Sequence, residues 1–403
     1  MSPFFRSAWC LNMKMISGFV AWLGLVTMAN ACDFNDILFH ADFPMGRLNH
    51  CEQISPQQFT LHFQPENRPI NSSAWYAFQV KSTTPQTLSL TLTFDGDLPR
   101  YLPKISRDGH SWQTIPFATS TADFEIAVEV DKQPLWIAGQ ELITNQTYAD
   151  WFNAQKNAAK NKTERRFFEL GRSTQGRHIQ AITSLAENSN EWVILIGRQH
   201  PPEVTGALAM LPFVENLLSD STMAKQFRQR FNLLIVPNVN PDGVAAGNWR
   251  HNTRGKDLNR DWNQFEQTET RLIHNVLQKL VQDKQKIVFA LDFHSTQEDV
   301  FYTIPSDAGI VPKDLANLWL DTINQQTNRF FKVRNKPGNS PGRGIFKQYI
   351  ADTYQVHGVT FELGDNTNRQ LIKQIATVSA QTFMSLMTST DPSDFYLPEG
   401  SEQ

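Results

Sequence analysis

Between residues 55 and 140 apolar and polar positions alternate with a period of two. In Thr87-Leu88-Ser89-Leu90-Thr91-Leu92-Thr93-Phe94 every second residue is apolar, and Phe124, Ile126, Val128 and Val130 alternate with Asp123, Glu125 and Glu129. That period sends successive side chains to opposite faces, so these segments predict strands with one wet face. Asp95-Gly96 and Asp108-Gly109 supply turn residues that tolerate positive φ. Short strands at this spacing predict an all-β sandwich.

From about residue 146 the pattern changes. Compact apolar runs at Trp192 to Ile196, Leu233 to Val236, Ile287 to Phe293 and Val359 to Phe361 read as strands buried on both faces, and helical periodicity occupies 205–218, 267–281 and 370–387. Buried strands separated by helices predict an α/β domain: a mixed, largely parallel sheet flanked by helices, preceded by the smaller all-β sandwich. The expected divisions are a leader over 1–31, the β-sandwich domain over 32–143, the α/β domain over 144–390 and a tail over 391–403. In open α/β sheets ligands bind beyond the carboxyl ends of the strands, so the polar clusters after those strands are the place to look for chemistry.

A chain of 403 residues exceeds what one core usually organises, which agrees with two domains. With 40% hydrophobic and 19% charged residues it has enough apolar material to fold. The net charge is −3, so there is no basic excess with which to displace counterions from a nucleic acid, and no nucleic-acid partner is expected. Arg6 and Lys14 precede the uncharged run Met15 to Met28, and Ala29-Asn30-Ala31 follows in the small-x-small pattern of a cleavage site. The run is shorter than the roughly 20 residues that span a bilayer. It therefore predicts a removed signal peptide, no stable membrane span, and an exported chain, periplasmic or secreted. Cys10 leaves with the leader. Cys32 and Cys51 remain as an even pair in an oxidising compartment, predicting a disulfide; the rival is lipidation of Cys32 as the first mature residue.

The candidate chemistry lies after the buried strands. His200 and Glu203, three residues apart in Gly197-Arg198-Gln199-His200-Pro201-Pro202-Glu203, could converge on one metal ion as nitrogen and oxygen donors. The plainer alternative is a surface histidine near a helix-starting glutamate. His294, at the end of the run Ile287 to Phe293, could complete a His, Glu, His set, with Asp292 on the same strand face to orient it; a satisfied core histidine is the alternative. Glu362 ends another strand and could move protons as a general base, or serve as a carboxylate at a helix N-terminus. Arg250 and Arg260, with Asn259, sit in one long loop, where a guanidinium could hold a carboxylate through paired hydrogen bonds or face an oxyanion. Surface salt bridging is the alternative for either arginine.

In that order the segments HPPE, NPDG, WR, DLNRDW, FHS and FELGD resemble the carboxypeptidase A-type zinc metallocarboxypeptidase family, over about residues 145 to 388. The resemblance implies one zinc ion held by His200, Glu203 and His294, with Glu362 as general base. It further implies Arg250 at the oxyanion, Asn259 and Arg260 on the substrate carboxylate, and Asp257 behind a zinc histidine. The β region with YLPKISRDGHSW, ahead of NPDGVAAGNWR, is similar to the cytosolic carboxypeptidases that trim glutamates and to their bacterial relatives. The family's substrate-capping tyrosine has two candidates here, Tyr349 and Tyr354, each equally suited to a core position.

These readings converge on an exported zinc carboxypeptidase acting on peptides with a free terminal carboxylate. Arg343 and Lys347 precede Glu362 where a specificity pocket would lie, and would favour an acidic terminal residue unless they are a solvated pair. The rival functions are a zinc-dependent deacylase of N-acyl amino acids and a catalytically silent module that binds peptide or cell wall.

Overall fold

The fold is described from a computed structural model, covering residues 31–120, 122–159, 164–327 and 329–397. The expected leader lies outside the described residues, apart from Ala31. The expected tail is described as far as residue 397 and holds a short turn, Pro392–Phe395, with Phe395 buried.

Residues 31–138 form two sheets, of six and five strands. The alternating segments become Gln86–Phe94 and Asp123–Val130, which pair antiparallel, Leu90 opposite Ile126. Apolar faces from both sheets, including Phe39, Phe78, Leu90 and Ile126, meet in one core, so the alternation closes a two-layer β structure. Cys32 and Cys51 are joined as a disulfide.

The α/β region is built on an eight-stranded mixed sheet. Its four central strands are Asn232–Val236, Glu191–Gly197, Lys286–Thr296 and His357–Gly364, side by side and parallel. Successive residues of Glu191–Gly197 face opposite layers. Val193 and Leu195 pack with the helices Val204–Leu217 and Arg369–Ser389, while Trp192, Ile194 and Ile196 pack with Thr268–Gln282 and Phe346–Tyr354. Burial on both faces is what the unbroken apolar runs express. Among the described residues no helix is long and apolar enough to cross a membrane.

The two regions share apolar packing. Val204, Val244 and Trp249 of the α/β region belong to the core of the β region, a continuity that the local patterns do not signal.

Candidate metal centre and active site

Three neighbouring parallel strands end at one edge of the sheet, at Gly197, Thr296 and Gly364. The first leads into a turn in which Arg198 takes a positive φ of 56°. Its buried guanidinium bonds the Pro201 carbonyl at 2.8 Å, the Tyr148 hydroxyl at 3.2 Å and the Ile143 carbonyl at 3.2 Å. This braces the turn that presents His200. Glu203 follows at the N-cap of Val204–Leu217, where the helix dipole favours a carboxylate. Gly206, one turn into that helix, lies against the next strand: a Cβ there would stand 2.5 Å from the His294 carbonyl oxygen. Only glycine lets the helix bring Glu203 this close to His294.

His200, Glu203 and His294 are all buried, and each offers one ligand atom within 4.8 Å of the others. Nδ1 of His200 lies 2.9 Å from Glu203 Oε1, and Nδ1 of His294 lies 2.7 Å from Oε2. The two Nδ1 atoms are 3.2 Å apart. On the far side of each ring a carboxylate accepts from Nε2: Asp257 for His200 at 2.8 Å and Asp292 for His294 at 2.7 Å. Those outward bonds place the ring protons on Nε2 and leave two Nδ1 lone pairs and a carboxylate aimed at one point. That donor set suits a zinc ion.

Asp292 is fixed in turn by Gln199, whose amide donates to it at 2.7 Å while accepting from the Trp262 indole at 2.9 Å. Asp257 accepts from Arg250 Nε at 2.7 Å, and Arg250 Nη1 lies 3.6 Å from Glu203. Glu362 pairs in register with His294 on the adjacent strand, so the two side chains share a face of the sheet. Burial and the like charge of Glu203 push its carboxyl up to about 7. The cap of the last helix is Asn368, so Glu362 has no capping part.

A cavity of about 310 Å³ opens over these groups. It brings together His200, Glu203, His294, Glu362, Arg250, Asn259, Arg260 and Arg343. Asn259 accepts the Phe346 amide through Oδ1 at 2.9 Å, and Arg260 Nη1 donates to the Asn259 carbonyl at 2.6 Å. Arg343 is exposed, and among the described residues its guanidinium has no hydrogen-bond or ion-pair partner. Lys347 lines the wall too, but its ammonium donates to the carbonyls of Thr303, at 3.1 Å, and Gly338, and burial pushes it down to about 8.

Tyr349 and Tyr354 are not brought into this cavity. Their hydroxyls bond each other at 2.7 Å, Tyr349 also meets His274 Nδ1 at 2.9 Å, and its ring stacks on Trp262. Helix Phe346–Tyr354 turns both tyrosines into an aromatic cluster beside the site, the core placement that was their alternative. The tyrosine that does line the cavity is Tyr302, on the strand Val300–Thr303 antiparallel to the Glu362 strand. Arg100 and Asn71, from the β region, also line it. Arg100 donates to Asp365 at 2.8 Å and to the Ser295 carbonyl at 2.8 Å. No short-range signal marks Arg100, because these partners lie far away in the chain.

A zinc carboxypeptidase family profile matches residues 153–385. Cytosolic carboxypeptidase 3 of Mus musculus is 24% identical over 307 residues, which cover 67% of this chain and 30% of that protein. Cytosolic carboxypeptidase 2 of Danio rerio is 34% identical over 144 residues, 33% of this chain and 20% of that protein. The chain thus spans about a third or less of the length of these curated relatives. Among solved structures, a metallo-carboxypeptidase from Burkholderia cenocepacia superposes with a TM-score of 0.73 at 16% identity, covering 87% of this chain and 99% of that one. A metallo-carboxypeptidase from Pseudomonas aeruginosa, in complex with (2-guanidinoethylmercapto)succinic acid, gives 0.71 at 20% identity, covering 87% and 98%. At these identities the two structures establish a shared fold.

Proposed function

Because the chain belongs to the zinc carboxypeptidase family, we propose that it removes the terminal residue from peptides with a free carboxylate, with a preference for acidic ends. The observation that carries this reading is the convergence of two carboxylate-backed imidazoles and Glu203 beside Glu362, in a cavity otherwise rich in guanidinium groups. Zinc held by His200, Glu203 and His294 would supply Lewis acidity to water and to the scissile carbonyl.

The chain's own residues do the rest. Glu362 takes the proton of the attacking water and returns it to the leaving amine. Arg250, steadied by Asp257, faces the oxygen that gains charge as the carbonyl becomes tetrahedral. Asn259 and Arg260 hold the terminal carboxylate, which makes the enzyme an exopeptidase. Arg343, exposed and without a side-chain partner among the described residues, meets an acidic terminal side chain, whereas Lys347 is committed to backbone carbonyls. Export is supported by the apolar leader and by the Cys32–Cys51 disulfide, a bond of oxidising compartments.

The test is a panel of peptides ending in Glu, Asp, Leu or Lys, each with a free and an amidated terminus, beside a short N-acyl amino acid. Release of Glu and Asp from free termini only is expected. Cleavage of amidated peptides removes the carboxylate clamp, faster release of Leu or Lys removes the acidic preference, and turnover of the acyl amino acid alone makes the protein a deacylase.

A further inference from the structure

The loop that carries Arg250 is held from outside the α/β region. Between Pro241–Ala246 and Leu258–Arg260 the chain has no regular element, so its amide groups need partners from elsewhere. Three consecutive N–H groups converge on one carboxylate, that of Glu66. Trp249 donates to Oε2 at 2.7 Å, and Arg250 and His251 donate to Oε1 at 3.0 and 2.5 Å. Next to it, Asn67 pairs with His251 Nδ1 at 2.8 Å and donates to the Gly255 carbonyl at 3.1 Å. Glu66 and Asn67 follow the strand Gln58–Phe63 in the β region.

The contact is tight around this anchor. Trp249 is fully buried in the β-region core, edge-on to Phe94. Gly247 has φ 61°, and a Cβ there would meet the Gly46 carbonyl oxygen at 2.6 Å and that of Met45 at 2.7 Å. From the backbone so fixed, the Arg250 side chain reaches Asp257 and Glu203. A carboxylate among successive N–H groups makes charge-assisted bonds, stronger than neutral ones and set by the peptide planes they meet.

We propose that Glu66 is a positioning residue for the reaction: the β region sets the backbone from which Arg250 faces the substrate, and the α/β region without it is an incomplete site. This rests on the role assigned to Arg250 above. The physical reason is geometric, since misplacing a catalytic group by about 1 Å costs on the order of a hundredfold in rate.

The test uses the full chain with Glu66→Gln and Glu66→Asp, alone and combined with Arg250→Ala. Glutamine keeps the shape but offers one acceptor oxygen and turns an NH2 group toward the N–H groups. Amide hydrogen exchange should rise over residues 248–252 and stay unchanged over Lys286–Thr296. With a free-carboxylate peptide, kcat should fall about ten- to hundredfold while KM moves less than about threefold, and Glu66→Asp should recover part of the loss. In the Arg250→Ala background the same change should cost less than about twofold, because both act through one group. An equal loss in both backgrounds, or unchanged exchange over 248–252, overturns the proposal. If the unaltered protein cleaves no peptide, the functional reading fails while the exchange data still decide whether Glu66 sets the loop. Should Glu66→Gln fail to fold, Glu66→Asp carries the same two readouts.

Discussion

Replacing Arg100 with alanine removes the guanidinium that ties the β region to the ends of two strands of the α/β sheet. Nε and Nη2 bond Asp365 at 2.8 and 3.2 Å, Nη2 also bonds the Ser295 carbonyl at 2.8 Å, and Nη1 bonds the Ser73 hydroxyl at 2.9 Å. The side chains of Arg100 and Asp365 are 10% and 2% exposed, so the pair is largely withdrawn from water. Breaking such a pair from one side costs about 3–5 kcal/mol. Burial already pushes the Asp365 carboxyl up against the pull of Arg100. Once alone it takes up a proton, which holds the loss near the lower bound, about 3 kcal/mol. At ~2–4 °C per kcal/mol this lowers the melting midpoint by roughly 6 °C or more, read by tryptophan fluorescence or calorimetry. The control is Lys279→Ala, which removes a helix-surface pair with Asp283 whose side chains are 72% and 55% exposed; such pairs contribute little. Equal shifts for the two variants would refute the reasoning. Replacing Asp365 by asparagine together with Arg100 by methionine should recover part of the loss, since no carboxylate is then stranded.

Further outcomes follow from other contacts. Reducing Cys32–Cys51, which closes a loop with a sequence separation of 19, should lower the stability of the β region by about 3 kcal/mol in denaturant titrations; an unchanged midpoint would contradict this. Burial pushes His357 from 6.5 down to about 4, although Nε2 donates to the Pro312 carbonyl at 2.6 Å and Asp314 pulls the other way. Its folded pKa lies below the unfolded one, so its stability contribution is full above pH 6.5 and is lost as pH falls toward 4. Between pH 7 and 5 the unaltered protein should lose about 2 kcal/mol more than His357→Gln, and parallel pH profiles would refute the assignment. Tyr349→Phe gives up hydrogen bonds to His274 and Tyr354. It should cost about 1 kcal/mol of stability and leave kcat/KM unchanged, whereas a large kinetic effect would return Tyr349 to the site.

The chain's local patterns carried most of the architecture. Unbroken apolar runs mark the four central strands because burial on both faces removes any need for polar alternation. The strict alternation at 87–94 and 123–130 marks strands with a single dry face. Helices Thr222–Arg230, Asn145–Ala158, Leu315–Thr327 and Phe346–Tyr354 were not anticipated. The first and last are short, and nine residues give too few turns for a 3.6-residue period to stand out. The metal-binding set was legible because its members follow buried strands, and neighbouring parallel strands must end at a common edge.

Tertiary structure alone decided the finer chemistry. Which nitrogen each imidazole turns inward depends on Asp257 and Asp292, and of these only Asp292 shares a strand with its histidine. Tyr349 and Tyr354 were candidates by type and position, yet they pack with Trp262, His274 and each other, and Tyr302 is the tyrosine at the cavity. Glu66 and Arg100 reach groups 183 and 265 residues further along the chain. Periodicity along a chain reports how each short segment divides between water and core. Contacts across that distance depend on how two separately built cores merge, and no local pattern encodes that.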